Sequence, residues 1–235
     1  VEELLKAVCV ASGNDAAVAL AEEVSGVTEL FVQQMNNRAK ELGMADTCFL
    51  NPTGLPADGH VTSAYDIALM SRELILKHPD LRRFTTIWMD TIRNGSFSLS
   101  NTNKLIRFYD GATGLKTGST DAAGYCISAT PERGGMELIA VVLGGETSQQ
   151  RVEDAKTLLN YGFSIYALAD VTPAEIPSVP VKLGRDASVE AMPEGCKLLV
   201  GKGQAGSLSQ TITLQEDLAA PVEKGQTVGT LTVRC

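Results

Sequence analysis

Two short runs hold side chains of the types that acyl transfer uses. Ser12-Gly13-Asn14 puts a hydroxyl and a carboxamide two residues apart, and Lys116-Thr117-Gly118 puts an ammonium beside a second hydroxyl and a residue with no side chain. Acyl transfer needs a nucleophilic hydroxyl, a base for its proton, an acid for the leaving amine and donors for the oxyanion. These groups can cooperate only if the fold brings residue 12 to residue 116, 104 positions later (116 − 12). Taken singly, each run has an ordinary reading. Ser-Gly-Asn also serves as a turn between helices, with Asn14 or Asp15 capping the next one, and Lys-Thr-Gly occurs by chance in many chains. Metal chemistry has little to draw on: the imidazoles are His60 and His78, and Cys9, Cys48, Cys126, Cys196 and Cys235 form no C-x-x-C pair or zinc spacing. No metal or cofactor is expected.

The elements that must position these runs can be read from periodicity. Val1, Leu4, Leu5 and Val8 recur at helical spacing, so a helix runs to Ala11, directly ahead of Ser12. A second helix spans Asp15 to Val24. A third begins with Thr28 as its cap and is closed after Leu42 by Gly43. A turn-rich loop from Asn51 to Gly59 follows, then a helix from Ala64 to Lys77, capped by Thr62 or Ser63 and stopped by Pro79. Past about Thr85 short β-like runs take over. Tyr125–Thr130 and Met136–Leu143 are two strands joined through Pro131–Gly135, and Gln150–Gly162 is the last helix. Pro173, Pro177 and Pro180 then punctuate the chain, and Lys197–Val200, Gln210–Leu214 and Thr227–Val233 read as strands of a small all-β domain. The boundary falls near residue 170, giving domains 1–170 and 171–235.

Composition excludes several functions. A net charge of −8 leaves no basic stripe to displace counterions from nucleic acid, so no nucleic-acid partner is expected. No apolar stretch approaches the roughly 18–20 residues that cross a bilayer. Five cysteines are an odd number, so at least one is free or pairs with another chain; most read as small buried hydrophobes.

Taken together and with their flanks, the two runs resemble the low-molecular-mass D-alanyl-D-alanine carboxypeptidases, serine DD-peptidases of the penicillin-binding-protein class. The resemblance rests on Ala11–Ala17, on Asn51-Pro52-Thr53-Gly54-Leu55, and on Gly59–Asp66. It continues through Asn101-Thr102-Asn103-Lys104-Leu105, Gly114–Thr120 and Ala123-Gly124-Tyr125, then Val141–Gly144 and Asn160–Phe163. It implies an α/β fold, with a mostly antiparallel sheet flanked by helices and a small β domain after it. It implies a substrate as well, the peptidoglycan stem peptide ending in D-Ala-D-Ala, and β-lactams as ligands of the intact enzyme. Work outside the cytoplasmic membrane, at the cell envelope, is also implied.

The resemblance assigns roles. Ser12 would relay a proton to the leaving D-Ala nitrogen, Asn14 would hold the substrate peptide, and Lys116 would add positive charge beside Ser12. Thr117 would bind the substrate's terminal carboxylate. Gly118 would let an extended peptide lie along the strand, and the amide of Ser119 would donate to the oxyanion. Arg151 matches an arginine near that carboxylate; its other reading is a solvated helix-surface cation. His60 reads as structural. Asp121 would brace the strand turn or lie on the surface.

One departure matters. The family's nucleophile sits in Ser-x-x-Lys, and none of these 235 residues forms that pattern. The expectation is that a segment ahead of Val1 carries it, and that this chain alone is inactive. Dimerisation, or association with that segment, is expected to cover the apolar surface left open. A class A β-lactamase is disfavoured, because no Glu lies four residues before any Asn. A non-catalytic peptidoglycan- or partner-binding protein and a DD-endopeptidase of the same family remain as alternatives.

Overall fold

The structure is a computed structural model and describes residues 1–171, 175–204 and 206–234. Pro173 and Cys235, both named above, lie outside the described residues. The chain divides into two units, Val1–Gly162 and Phe163–Cys235, where the sequence put the change of character near residue 170.

In the first unit the helices follow their apolar spacing. They are α1 (Glu2–Ala11), α2 (Asn14–Ser25), α3 (Thr28–Glu41) and α4 (Ala64–Lys77). Ser63 caps α4 as expected, its hydroxyl accepting from the Asp66 amide at 3.2 Å. Thr28 does not cap α3: it is the first helical residue, and Val27 before it offers no side-chain acceptor. Likewise Gly13, rather than Asn14 or Asp15, stands at the α2 cap position. A short helix, α5 (Arg82–Thr85), leads to the hairpin of β1 (Met89–Ile92) and β2 (Phe97–Ser100). Lys6 of α1 pairs with Asp90 of β1 at 2.8 Å, tying the first helix to that hairpin.

Another short helix, α6 (Leu105–Phe108), precedes the main sheet of β3 (Ala112–Thr120), β4 (Gly124–Arg133), β5 (Met136–Glu137) and β6 (Ala140–Gly145). All its pairings are antiparallel. β4 is central, β3 lies along one side, and β5 and β6 share the other. The expected strand Met136–Leu143 is therefore two strands, interrupted at Leu138 and Ile139. The turn into β5 is tighter than expected, with Gly134 and Gly135 at φ 59° and 83°, a region that only glycine enters cheaply. The last helix, α7 (Ser148–Ile165), extends beyond its expected ends. Its Val152, Ala155 and Leu159 pack on Ile127 and Ala129 of β4, Ala140 of β6 and Leu105 of α6. That layer is the core beneath the site. Gly162 closes it: a Cβ there would meet Leu138 Cδ1 at 2.7 Å.

Past the last residues of α7 the second unit is all β. Its strands are β7 (Tyr166–Val171), β8 (Val179–Lys182), β9 (Ser188–Val189), β10 (Cys196–Gly201), β11 (Ser209–Leu214), β12 (Leu218–Ala219) and β13 (Gly229–Arg234). β7 pairs with β10 and β11 with β13, both antiparallel. β8 lies between β12 and β9. Since β7 takes its partner from this unit, the division precedes it. Among the described residues no helix is long and apolar enough to cross a membrane.

The expectation of buried cysteines is corrected. Cys48 and Cys196 are exposed, Cys9 and Cys126 are half-buried, and all four are free.

Candidate active site

Ser12 sits where α1 ends, in the left-handed conformation at φ 61°, ψ 39°. For a residue with a Cβ this costs on the order of 1–2 kcal/mol. The Gly13 amide bonds back to the Ala7 carbonyl at 3.0 Å, closing the helix and fixing the turn. The β3 strand carries Lys116 towards it: Lys116 Nζ donates to Ser12 Oγ at 2.6 Å and to the Thr117 carbonyl at 2.6 Å. The two sequence motifs therefore meet. Cys9, one turn before Ser12 on α1, shares the electrostatic surroundings of Lys116.

Lys116 is largely removed from water, and this burial, opposed by Cys9 and aided by the nearby Arg151, brings its pKa down from 10.5 to about 8. Burial pushes the Cys9 thiol up, and the Lys116 charge pulls it back. An amine with a pKa near 8 can hold or release a proton close to neutral pH, as proton exchange with a neighbouring hydroxyl requires.

Arg151 is not the solvated surface cation that was one reading of it. It is 5% exposed, and its Nη1 donates to the carbonyls of Gly118 at 3.3 Å and Cys126 at 3.2 Å. Its Nη2 reaches Ser148 Oγ at 3.2 Å, and the guanidinium carbon lies 5.7 Å from the Tyr125 ring centroid. Nε has no hydrogen-bond partner, and no carboxylate among the described residues pairs with this cation. Burial holds its pKa below the ordinary arginine value. The arginine thus braces β3 against β4 while keeping unneutralised charge beside Gly118.

Gly118 and Ser119 are exposed on β3, which pairs only with β4 among the described strands, so no strand occupies its other side at these two residues. A Cβ built at Gly118 would meet nothing within 4 Å. The protein's own packing does not demand glycine there, and an extended chain could lie close against the strand. Thr117 is 6% exposed, with its hydroxyl 2.6 Å from that of Thr102. Asn14 is exposed at the start of α2, and its side chain has no hydrogen-bond partner among the described residues.

His60 fits its structural reading. Its Nδ1 lies 3.3 Å from Asn51 Nδ2 and its ring stacks edge-on to Phe49, so it ties together the two ends of the turn-rich loop. Asp121 is exposed, and the turn is braced instead by Thr120, whose hydroxyl accepts from the Ala123 amide at 3.0 Å. The sequence reading missed Cys9 and Thr102. Cys9 falls three residues before Ser12, hence on the same helical face, and this spacing was the available signal. Thr102 lay within a motif without a role of its own. Among the described residues no cluster of His, Cys, Asp or Glu could hold a metal.

Known proteins resemble the chain over most or all of its length. The chain is similar over 100% of its length to the D-alanyl-D-alanine carboxypeptidase DacF of Bacillus subtilis (41% identity, 62% of the relative covered). It is similar over 98% to DacC of Escherichia coli (36% identity, 58% covered). The chain therefore spans about three fifths of these relatives. Among solved structures, a peptidoglycan synthesis regulatory factor (PBP3) from Streptococcus pneumoniae superposes with TM-score 0.84 at 32% identity, over 100% of this chain and 70% of that one. Penicillin-binding protein D2 from Listeria monocytogenes, solved in its ampicillin-bound form, gives TM-score 0.64 at 39% identity over 69% of this chain and 67% of that one. Sheet, helices and small β domain are thus the fold of penicillin-binding proteins. Residues 1–147 match the D-alanyl-D-alanine carboxypeptidase family and 174–235 the C-terminal domain of penicillin-binding protein 5. The chain belongs to the D-alanyl-D-alanine carboxypeptidase family.

Proposed function

We propose that this chain supplies the proton-relay and substrate-binding part of a serine DD-peptidase that removes the terminal D-Ala from peptidoglycan stem peptides through an acyl-serine. One observation carries the reading: Lys116 Nζ stands 2.6 Å from Ser12 Oγ, across 104 residues. In this reaction Lys116, with its pKa near 8, exchanges a proton with Ser12, and Ser12 passes it to the departing D-Ala nitrogen. The peptide lies along the open side of β3 over Gly118, the Ser119 amide faces the oxyanion, and Asn14 holds the peptide from the α2 side. Lys116 and Arg151 attract its carboxylate. β-Lactams, which share the acyl-donor chemistry, would occupy the same groove in the intact enzyme. The site of action is outside the cytoplasmic membrane, where such peptides lie.

The nucleophile comes from a Ser-x-x-Lys segment, and these 235 residues contain none. Losing the nucleophile costs a serine hydrolase on the order of a millionfold. The chain alone should therefore show no covalent band with a fluorescent penicillin. The same chain joined behind the Ser-x-x-Lys segment of a relative should be labelled and should release D-alanine. Label on the chain alone would overturn the assignment of the nucleophile, and an unlabelled fusion would overturn the reading as an enzyme. The missing pattern is also what a peptidoglycan-binding protein without activity would show, and an unlabelled fusion that still binds peptide would favour that reading.

A further inference from the structure

From Thr117 back to Gly114, β3 is flanked by the chain's own residues 101–103. The Thr102 hydroxyl lies 2.6 Å from the Thr117 hydroxyl, and buried Asn103 donates to the Gly114 carbonyl at 3.0 Å. The Thr102 amide donates to the Val10 carbonyl at 3.1 Å, which ties the segment to α1. A ligand lying along β3 over Gly118 meets this segment and leaves the strand at Thr102. The surface beyond begins at Trp88, whose carbonyl accepts from the Asn101 amide at 2.9 Å.

That surface is apolar and cationic at once. Lys104, Arg107 and Phe108 stand three and four residues apart, hence on one face of the α6 turn, and all three are exposed, whereas Leu105 is buried. The Phe108 ring meets the half-buried Trp88 ring edge-on, with centroids 5.8 Å apart. The Arg107 guanidinium carbon lies 5.6 Å from the Trp88 ring and 5.7 Å from the Phe108 ring. Met89, beside Trp88, is 63% exposed, so apolar surface is open here as well. Neither Lys104 nor Arg107 pairs with a carboxylate among the described residues. Residues 82–108 carry five cations and one carboxylate in a chain of net charge −8, so positive charge is gathered on this stretch. Aromatic side chains, Met and Arg are the residues that interfaces concentrate. An arginine held against two rings keeps its N–H donors for a partner, and unpaired cations favour an acidic one.

We propose that Trp88, Lys104, Arg107 and Phe108 form a second peptide subsite, which takes an acidic peptide carried by the leaving amino acid. The ligand class that fits is a cross-linked pair of stem peptides, in which the amino acid after the scissile bond continues through its side chain into a second peptide. Continuity selects this occupant: the patch starts where a ligand of the groove leaves β3, so one branched ligand can lie in both. The inference rests on the peptide-binding reading given under Proposed function and extends it from a single leaving D-Ala to a leaving peptide.

Trp88 is the chain's one tryptophan, so its emission reports on this patch. The test titrates the 235-residue chain with two probes, reading affinity by calorimetry and emission by fluorescence. One probe is the tripeptide diacetyl-L-lysyl-D-alanyl-D-alanine. The other replaces its last D-alanine with meso-diaminopimelate, linked through the D-centre and acylated at the L-centre by the γ-carboxyl of N-acetyl-D-glutamate. The branched probe should bind about three- to tenfold tighter than the tripeptide and shift the Trp88 emission, which the tripeptide leaves unchanged. Arg107→Glu should bring the branched probe down to the affinity of the tripeptide without altering that of the tripeptide itself, and Arg107→Lys should keep part of the gain. A branched probe that binds no tighter than the tripeptide or leaves the emission unmoved, or an Arg107→Glu variant that weakens both probes alike, would overturn the subsite and leave the groove as a peptide site. If neither probe binds, the groove reading fails, and the subsite fails with it.

Discussion

An ammonium held mostly away from water, with an arginine nearby, gives up its proton more readily than a free lysine. For Lys116 the shift from 10.5 to about 8 has a definite sign in stability. Between those values the unfolded chain binds more protons than the folded one, so stability should rise as pH goes from about 8 to 10.5. Lys116→Met should remove that rise, which denaturant titrations at a series of pH values will show. At this scale the residue types were legible. Ser12, Lys116, Thr117 and Gly118 were named from the sequence through the family resemblance of their motifs, and the structure brings Lys116 to Ser12. Their surroundings were not legible. Arg151 follows a helical spacing that suits a surface as well as a core, and only the close approach of α7 to β3 and β4 buries it. The pairing of Thr102 with Thr117 depends on a loop crossing that leaves no periodic trace.

The segment 101–103 decides whether α1 and β3 stay in register. Asn103→Ala would leave the Gly114 carbonyl and the Leu105 amide without their side-chain partner in a buried place. The expected cost is roughly 2–4 kcal/mol, readable as a lowered melting temperature, with Lys116 displaced from Ser12. A change within the error of calorimetry would mean that α1 is held by Lys6–Asp90 and its other contacts alone. Helices were the legible elements, because spacing, the Ser63 cap and Pro79 all point the same way. The edge strand was not. Leu138–Leu143 is an unbroken apolar run, and nothing local distinguishes the two residues that leave the sheet from the four that stay. That break belongs to the packing of Leu138 under α7.

For the molecule as a whole, the change to a Pro-punctuated, turn-rich second half was visible in composition, because a small β unit must return its chain every few residues. Which unit claims β7 was not visible, since pairing partners thirty residues apart leave no local mark. In the first unit Phe31, Met35, Leu42, Met44, Phe49 and Met70 line an open apolar groove of about 420 Å3. Apolar surface of this kind drives association, so the mass measured by light scattering should rise with concentration. Met35→Asp should return it to that of one chain. A parent that stays monomeric at high concentration would remove the expectation of self-association.

Two glycines of the first unit answer the same one-carbon substitution in opposite ways. At position 162 the added methyl would meet Leu138 Cδ1 at 2.7 Å, so that side chain must turn aside within the core before alanine fits. At position 118 it would stand in empty space. Gly118→Ala should therefore melt like the parent and still hinder any ligand lying flat on the strand, which makes it a gauge of how close that ligand comes. If the alanine variant takes up the tripeptide as readily as the parent, the ligand rides higher than the backbone alone would permit.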